Sequence, residues 1–287
     1  MVKAYKSGNK LARPNLHTFV TLLCAVVNSG RPGAPEQAEK LLRGMYQDFK
    51  NGNASAKPDT HAITFVISAW AKSGDRDAGE KAEALLDWMI ELYEETGDES
   101  FKPNPLTWNA VINAWAKSRV FGKANRAKRV LDRMVKLYEA DKEAARPNTF
   151  VYTAVVNAAA YTVGDAIEKQ DAFLIASNTF IDLEKSNYGA PNHVTFGVYM
   201  TACQNLIPEG ESRASAVGDA FKKCCQVGMV NEVVLKRAQS ALSSEQLRNL
   251  LQSAATPDGI VDVNNLPLEW RRNVNDKVPR SKRSFKK

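Results

Sequence analysis

At nearly even intervals, five asparagine or aspartate side chains stand directly after a proline: Asn15, Asp59, Asn104, Asn148 and Asn192. Six positions past the same prolines come Val20, Thr64, Asn109, Thr153 and Gly197. An amide carries donor and acceptor together, and a hydroxyl serves as either, so the polar members are groups that recognise rather than transform. Groups that make or break bonds are scarce. His17, His61 and His193 each lie near the start of a predicted helix and do not gather as metal ligands must. No G-x-x-x-x-G-K-[ST] loop occurs, since "GDRDAGEK" has the wrong spacing for a phosphate cradle. There is also no H-x-E with a P-C-x-x-C to hold a zinc-activated water. Carboxylates such as Glu94 and Glu95 read as a solvated helix face. No enzyme, no cofactor, no metal and no small-molecule substrate is expected.

The elements that position the recurring groups are themselves recurrent. Pro14, Pro58, Pro103, Pro147 and Pro191 are 44, 45, 44 and 44 residues apart. Met1, Met45, Met89 and Met134 run in phase with them, at spacings of 44, 44 and 45. Each period predicts two helices. In the first, "TWNAVINAWAKS" matches "AITFVISAWAKS" and "VYTAVVNAAAYT", with Trp70 and Trp115 both twelve residues past their proline. In the second, Ala127, Val130, Leu131, Met134 and Tyr138 match Ala82, Leu85, Leu86, Met89 and Tyr93, an apolar stripe at helical spacing. A single hairpin cannot bury that stripe, whereas stacked neighbours bury it for one another.

The units are placed at 14–57, 58–102, 103–146, 147–190 and 191–230. A longer turn is expected in the fourth, and the fifth ends without a proline. Residues 231–254 read as a partial unit or capping helices, with a Ser-x-x-Gln helix start at Ser243 or Ser244. Residues 255–287 read as a flexible basic tail. The first residues, "MVKAYKSGNKLARPN", align without gaps to "MVKLYEADKEAARPN" at 134–148. Residues 1–13 therefore read as the end of a truncated upstream unit, and no targeting peptide is visible.

Composition narrows the class further. The chain is 44% hydrophobic and 25% charged, as folded proteins are, and no apolar run is long enough for a membrane span. Its net charge of +7 sits at one end. Arg271, Arg272, Lys277, Arg280, Lys282, Arg283, Lys286 and Lys287 are opposed there by Asp276 alone, leaving residues 1–269 formally neutral. The four cysteines form no C-x-x-C pair and read as reduced thiols packed in helices.

A helical hairpin closing on "KPN" or "KPD", followed by x-x-T-[WYF]-N-x-[VL]-I-x-A, resembles the pentatricopeptide repeat family of RNA-binding proteins. The resemblance covers about 14–240, in a variant with repeats longer than the family's usual length. It implies an all-α fold, a right-handed α-solenoid superhelix of stacked antiparallel helix pairs. It also implies a partner, single-stranded RNA, read one base per repeat. By that resemblance the base-reading pairs are Val20 with Asp59, Thr64 with Asn104, Asn109 with Asn148, and Thr153 with Asn192. Gly197 would pair with Asn231 or Glu232, and Val20, Asp59 and Gly197 are the weaker members. His17, His61, Leu106, Phe150 and Val194, three past each proline, take the base-stacking place. The implied core is 5′-A-(C/U)-A-3′, and the implied setting is RNA stability, processing or translation in a mitochondrion or plastid, with processing or translation factors as further partners. The other reading of the same repeats is a protein–protein interaction scaffold. Capping is a second role open to every residue after a proline.

Overall fold

The computed structural model describes residues 13–251 and 262–274. Over these the protein is all-α: thirteen α-helices and three short 3-10 turns, with no strand among the described residues. The chain divides into two compact units, one running to Ala190 and one starting at Pro191.

The first unit holds four hairpins: α1 (Leu16–Asn28) with α2 (Ala34–Lys50), α3 (Thr60–Ser73) with α4 (Ala78–Thr96), α5 (Pro105–Lys117) with α6 (Lys123–Ala140), and α7 (Thr149–Ala160) with α8 (Ala166–Lys185). Each helix packs on its hairpin partner, and α2, α4 and α6 each also pack on the first helix of the next pair. The first helices meet one another in order, α1 with α3, α3 with α5, and α5 with α7. This is a helical repeat-like arrangement.

The periodic residues supply the packing. Trp70 and Trp115 are 1% exposed, and Met45, Met89 and Met134 are equally buried. Each tryptophan also satisfies its one polar group. The Trp70 indole donates to Glu39 at 3.1 Å, and that of Trp115 to Glu83 at 2.8 Å, each carboxylate lying on the second helix of the preceding hairpin. The Trp115 ring lies so close over α4 that a Cβ built on Gly79 would come within 2.4 Å of it. The Arg126 guanidinium is stacked 5.3 Å from the ring centre.

The polar stretches between hairpins are built structure. Ala54–Ala56 and Glu99–Phe101 form 3-10 turns that pack on α2 and α4 respectively, and they bury Ala56 and Phe101. The Phe101 ring meets Tyr46 edge-on at 6.4 Å, and Tyr46 meets Trp88 at 5.2 Å. Burying a phenylalanine contributes about 2 kcal/mol. In the fourth hairpin Tyr188 does the equivalent, stacked on Tyr152 at 6.2 Å and edge-on to Tyr138 at 5.9 Å.

Three basic residues ahead of the prolines reach across to the far end of the hairpin that follows. Lys57 pairs with Asp98, and Arg146 donates to the Asn187 carbonyl. Arg13 donates to the Gly52 carbonyl at 2.7 Å, and Asn53 reaches back to the Pro14 carbonyl at 2.8 Å. Asn53, the asparagine of an N-A-S sequon, is thus buried and committed. Thr60 and Thr149 add hydroxyl bonds to the carbonyls of Ser100, Lys102 and Ala190. The first, second and fourth hairpins are thus clasped where they begin and end.

The second unit comprises α9 (His193–Leu206), α10 (Glu211–Gln226), α11 (Glu232–Ala241), α12 (Ser244–Leu251) and α13 (Leu268–Arg271). Helix α9 packs on α10 and α11, and α10 on α11 and α13. The start of α12 resolves to Ser243: its hydroxyl accepts from Gln246 N at 3.2 Å while the Gln246 side chain accepts from Ser243 N at 3.0 Å.

Two expectations change. The turn of the fourth hairpin is not lengthened, because α8 already begins at Ala166 and the connection 161–165 matches 118–122. Residues 262–274, read from composition as tail, are folded. Trp270 packs edge-on against Phe221 at 6.0 Å, its carbonyl accepts from Val230 N, and Arg272 donates to the Gln226 carbonyl. Their charge made them look like tail, but one tryptophan decides their place. Residues 1–12, 252–261 and 275–287, which include most of the expected upstream unit and tail, lie outside the described residues.

Candidate nucleic-acid interface

Every residue after a periodic proline caps a helix. Its backbone is extended, and its side-chain oxygen accepts from amides two or three residues on. Asn15 takes Thr18 N, Asp59 takes Ala62 N, Asn104 takes Leu106 N and Thr107 N, Asn148 takes Phe150 N and Val151 N, and Asn192 takes Val194 N and Thr195 N. Asn231 does the same for α11 through Val234 N at 2.9 Å, whereas Glu232 is the first helical residue and pairs with Lys236. Asn231 thus holds, where the proline is missing, the capping place that the residue after each periodic proline holds elsewhere. Capping uses the oxygen. The Nδ2 groups of Asn104, Asn148 and Asn192 make no hydrogen bond to any described residue.

One turn into each helix, three past the proline, the side chains turn outward. His17 and His61 are exposed, and so are Leu106 (68%), Phe150 (72%) and Val194 (48%). Elsewhere α5 and α7 bury their apolar side chains, so an exposed leucine and phenylalanine at one register on these neighbouring helices are departures shared by position.

Six past the proline the environments differ. Val20 packs against the edge of the core. Thr64 is half-buried, and its hydroxyl lies 2.7 Å from that of Thr107 on α5. Asn109 is half-buried, and its amide has no hydrogen-bond partner among the described residues. Thr153 is half-buried on α7. In the second unit Gly197 is buried, with Val233 and Arg237 of α11 about 4 Å from where its Cβ would stand. Of the pairs within the first unit, Thr64 and Asn104 are joined through Thr107, while Asn109 and Asn148 share no direct bond.

Two features escaped the sequence reading. Thr107 and Thr195 are fully buried and close capping boxes with Asn104 and Asn192. The N-x-x-T spacing that announces them was visible. Ser68, Asn113 and Asn157, one further turn along α3, α5 and α7, are half-buried polar residues in line with Thr64, Asn109 and Thr153. Their spacing of four from the row above was the available signal.

Among the described residues no three metal-ligating side chains gather, and no helix is long and apolar enough to cross a membrane. Compared with protein-family models and with curated proteins, the chain has no match.

Proposed function

We propose that the chain is a pentatricopeptide-type repeat protein, a right-handed α-solenoid, that binds single-stranded RNA one base per repeat. The observation supporting this is the outward column on successive first helices: an exposed ring or aliphatic group at one register, a half-buried polar group one turn further in. Apolar and aromatic faces stack on bases, worth about 1–3 kcal/mol per base, and amides and hydroxyls suit base edges. The core 5′-A-(C/U)-A-3′ follows for Thr64–Asn104, Asn109–Asn148 and Thr153–Asn192. Such a protein acts as a passive binder that shields or remodels a transcript or recruits processing or translation factors, in a mitochondrion or plastid.

Selection from a random single-stranded RNA pool at near-physiological salt tests this. The expected result is enrichment of A-(C/U)-A, with the middle base changing in Asn109→Thr. Binding without an enriched motif, or no binding, counts against it.

A second reading, a protein-binding scaffold, draws on a different surface. Phe121 (77% exposed) and Val163 (88%) stand out from the turns of the third and fourth hairpins, and Ile167 (71%) from the start of α8. Phe121 also lines an open cavity of about 420 Å³ with Thr162, Leu174 and Ile175. Retained partner capture in an Asn109→Ala variant that has lost RNA would favour it.

A further inference from the structure

Thr64 and Asn104 come from different helices, and the group that connects them belongs to neither predicted row. The Thr107 hydroxyl oxygen is 2.7 Å from that of Thr64 and 3.2 Å from Asn104 Oδ1, and the Asn104 backbone N–H points at it from 3.4 Å. Thr107 is 0% exposed, so its hydroxyl is shielded from bulk solvent.

Counting protons fixes the direction of the chain. Two oxygen–oxygen contacts must each hold a hydrogen, or lone pairs would oppose each other at hydrogen-bond distance. Asn104 Oδ1 has none to give, and each hydroxyl has one. Thr107 therefore donates to Asn104, and Thr64 donates to Thr107. The consequence appears at the surface. With its proton turned inward, the half-buried Thr64 hydroxyl offers only lone pairs to a ligand. Asn104 Oδ1 is already used by Leu106 N, Thr107 N and the Thr107 hydroxyl, so Asn104 offers only the N–H bonds of Nδ2.

We propose that Thr107 is a positioning residue that fixes this acceptor-then-donor order and so makes the second hairpin select a base whose pairing edge sets an amino donor beside a ring-nitrogen acceptor. The inference rests on the RNA reading above. Adenine and cytosine present an amino donor beside a ring-nitrogen acceptor, matching Thr64 and Asn104 in turn. Guanine and uracil present a carbonyl acceptor beside a ring N–H and meet the pair with like groups opposed. The third hairpin makes the contrast. Val151 holds in α7 the place that Thr107 holds in α5, and Asn109, without an internal partner, keeps both ends of its amide available.

The test uses the full chain and four RNA oligomers, 5′-X-C-A-3′ within a fixed flank, with X each base in turn. Wild-type protein is expected to bind X = A and C more tightly than G and U. Thr107→Val should cut the A-to-G affinity ratio about tenfold, the weight of one hydrogen bond against one buried mismatch. Thr107→Ser should keep the ratio. Melting temperature confirms that each variant is folded, with Thr107→Ala as the substitute if valine does not fit. An unchanged ratio in the folded hydroxyl-less variant overturns the inference and leaves the RNA reading standing. So does an equal loss for all four bases, which marks Thr107 as structural only. Failure of the wild type to bind any of the four removes the RNA reading itself, and this inference with it.

Discussion

Asp98 shows how a single side chain reports on the clasp of a hairpin. The Lys57 ammonium bonds to its carboxylate, with Ser100 donating as well, and together they hold its pKa at about 2 against an ordinary 3.8. A carboxylate depressed in the folded state stabilises the fold fully above its unfolded pKa. That contribution fades as the pH falls from about 4 toward 2. Carboxyl-detected NMR titration should give a midpoint near 2 in the wild type. In Lys57→Met the midpoint should rise toward the ordinary range, and an unmoved midpoint would exclude Lys57 as the cause. At this scale the sequence was half legible. Each asparagine or aspartate after a proline could be read as a cap, because capping is local. The bond from Thr64 to Thr107 spans 43 residues and shows itself only once α3 and α5 lie side by side.

A helix is positioned by what its neighbour leaves open, and α4 leaves open one residue. Gly79 is buried beneath Trp115, and the space its hydrogen occupies is filled on the far side by the indole. Gly79→Ala is expected to destabilise the protein by about 1–3 kcal/mol through overpacking. Gly44, on the exposed face of α2 with nothing within 4 Å, is the control. Gly44→Ala should stabilise by about 0.5–1 kcal/mol, since only helix propensity changes. Urea denaturation of both variants measures the difference, and similar midpoints would refute the packing account. The helices themselves were legible, because the 44-residue period repeats their apolar spacing four times over. The 3-10 turns were not. "NGNASAK" and "TGDESFK" are polar in composition, and what holds the second in place is the distant Tyr46 ring, itself edge-on to Trp88, receiving Phe101.

Across the whole molecule, charge and recognition are assigned to different places. Residues 275–287 carry Lys277, Arg280, Lys282, Arg283, Lys286 and Lys287 against Asp276, while residues 1–269 are formally neutral. On the proposed reading, deletion of 275–287 should weaken binding to all RNAs alike and flatten the dependence of affinity on salt. Preference among sequences should be preserved. Titrations at two ionic strengths decide it, and a loss of base preference on deletion would contradict the assignment. Composition located this charge correctly but drew the border too early, since Arg271 and Arg272 bond to the carbonyls of Val263 and Gln226 in the second unit. The clasps carry a last consequence. Because Arg13 meets Gly52, Lys57 meets Asp98 and Arg146 meets Asn187, each closure is completed inside one period of the sequence. A stretch of coding DNA cut at that period carries both halves of its own fastening. Tandem duplication can then lengthen the protein by whole cassettes without orphaning a fastening, and an array that grew by such copying would keep a spacing as regular as 44, 45, 44 and 44.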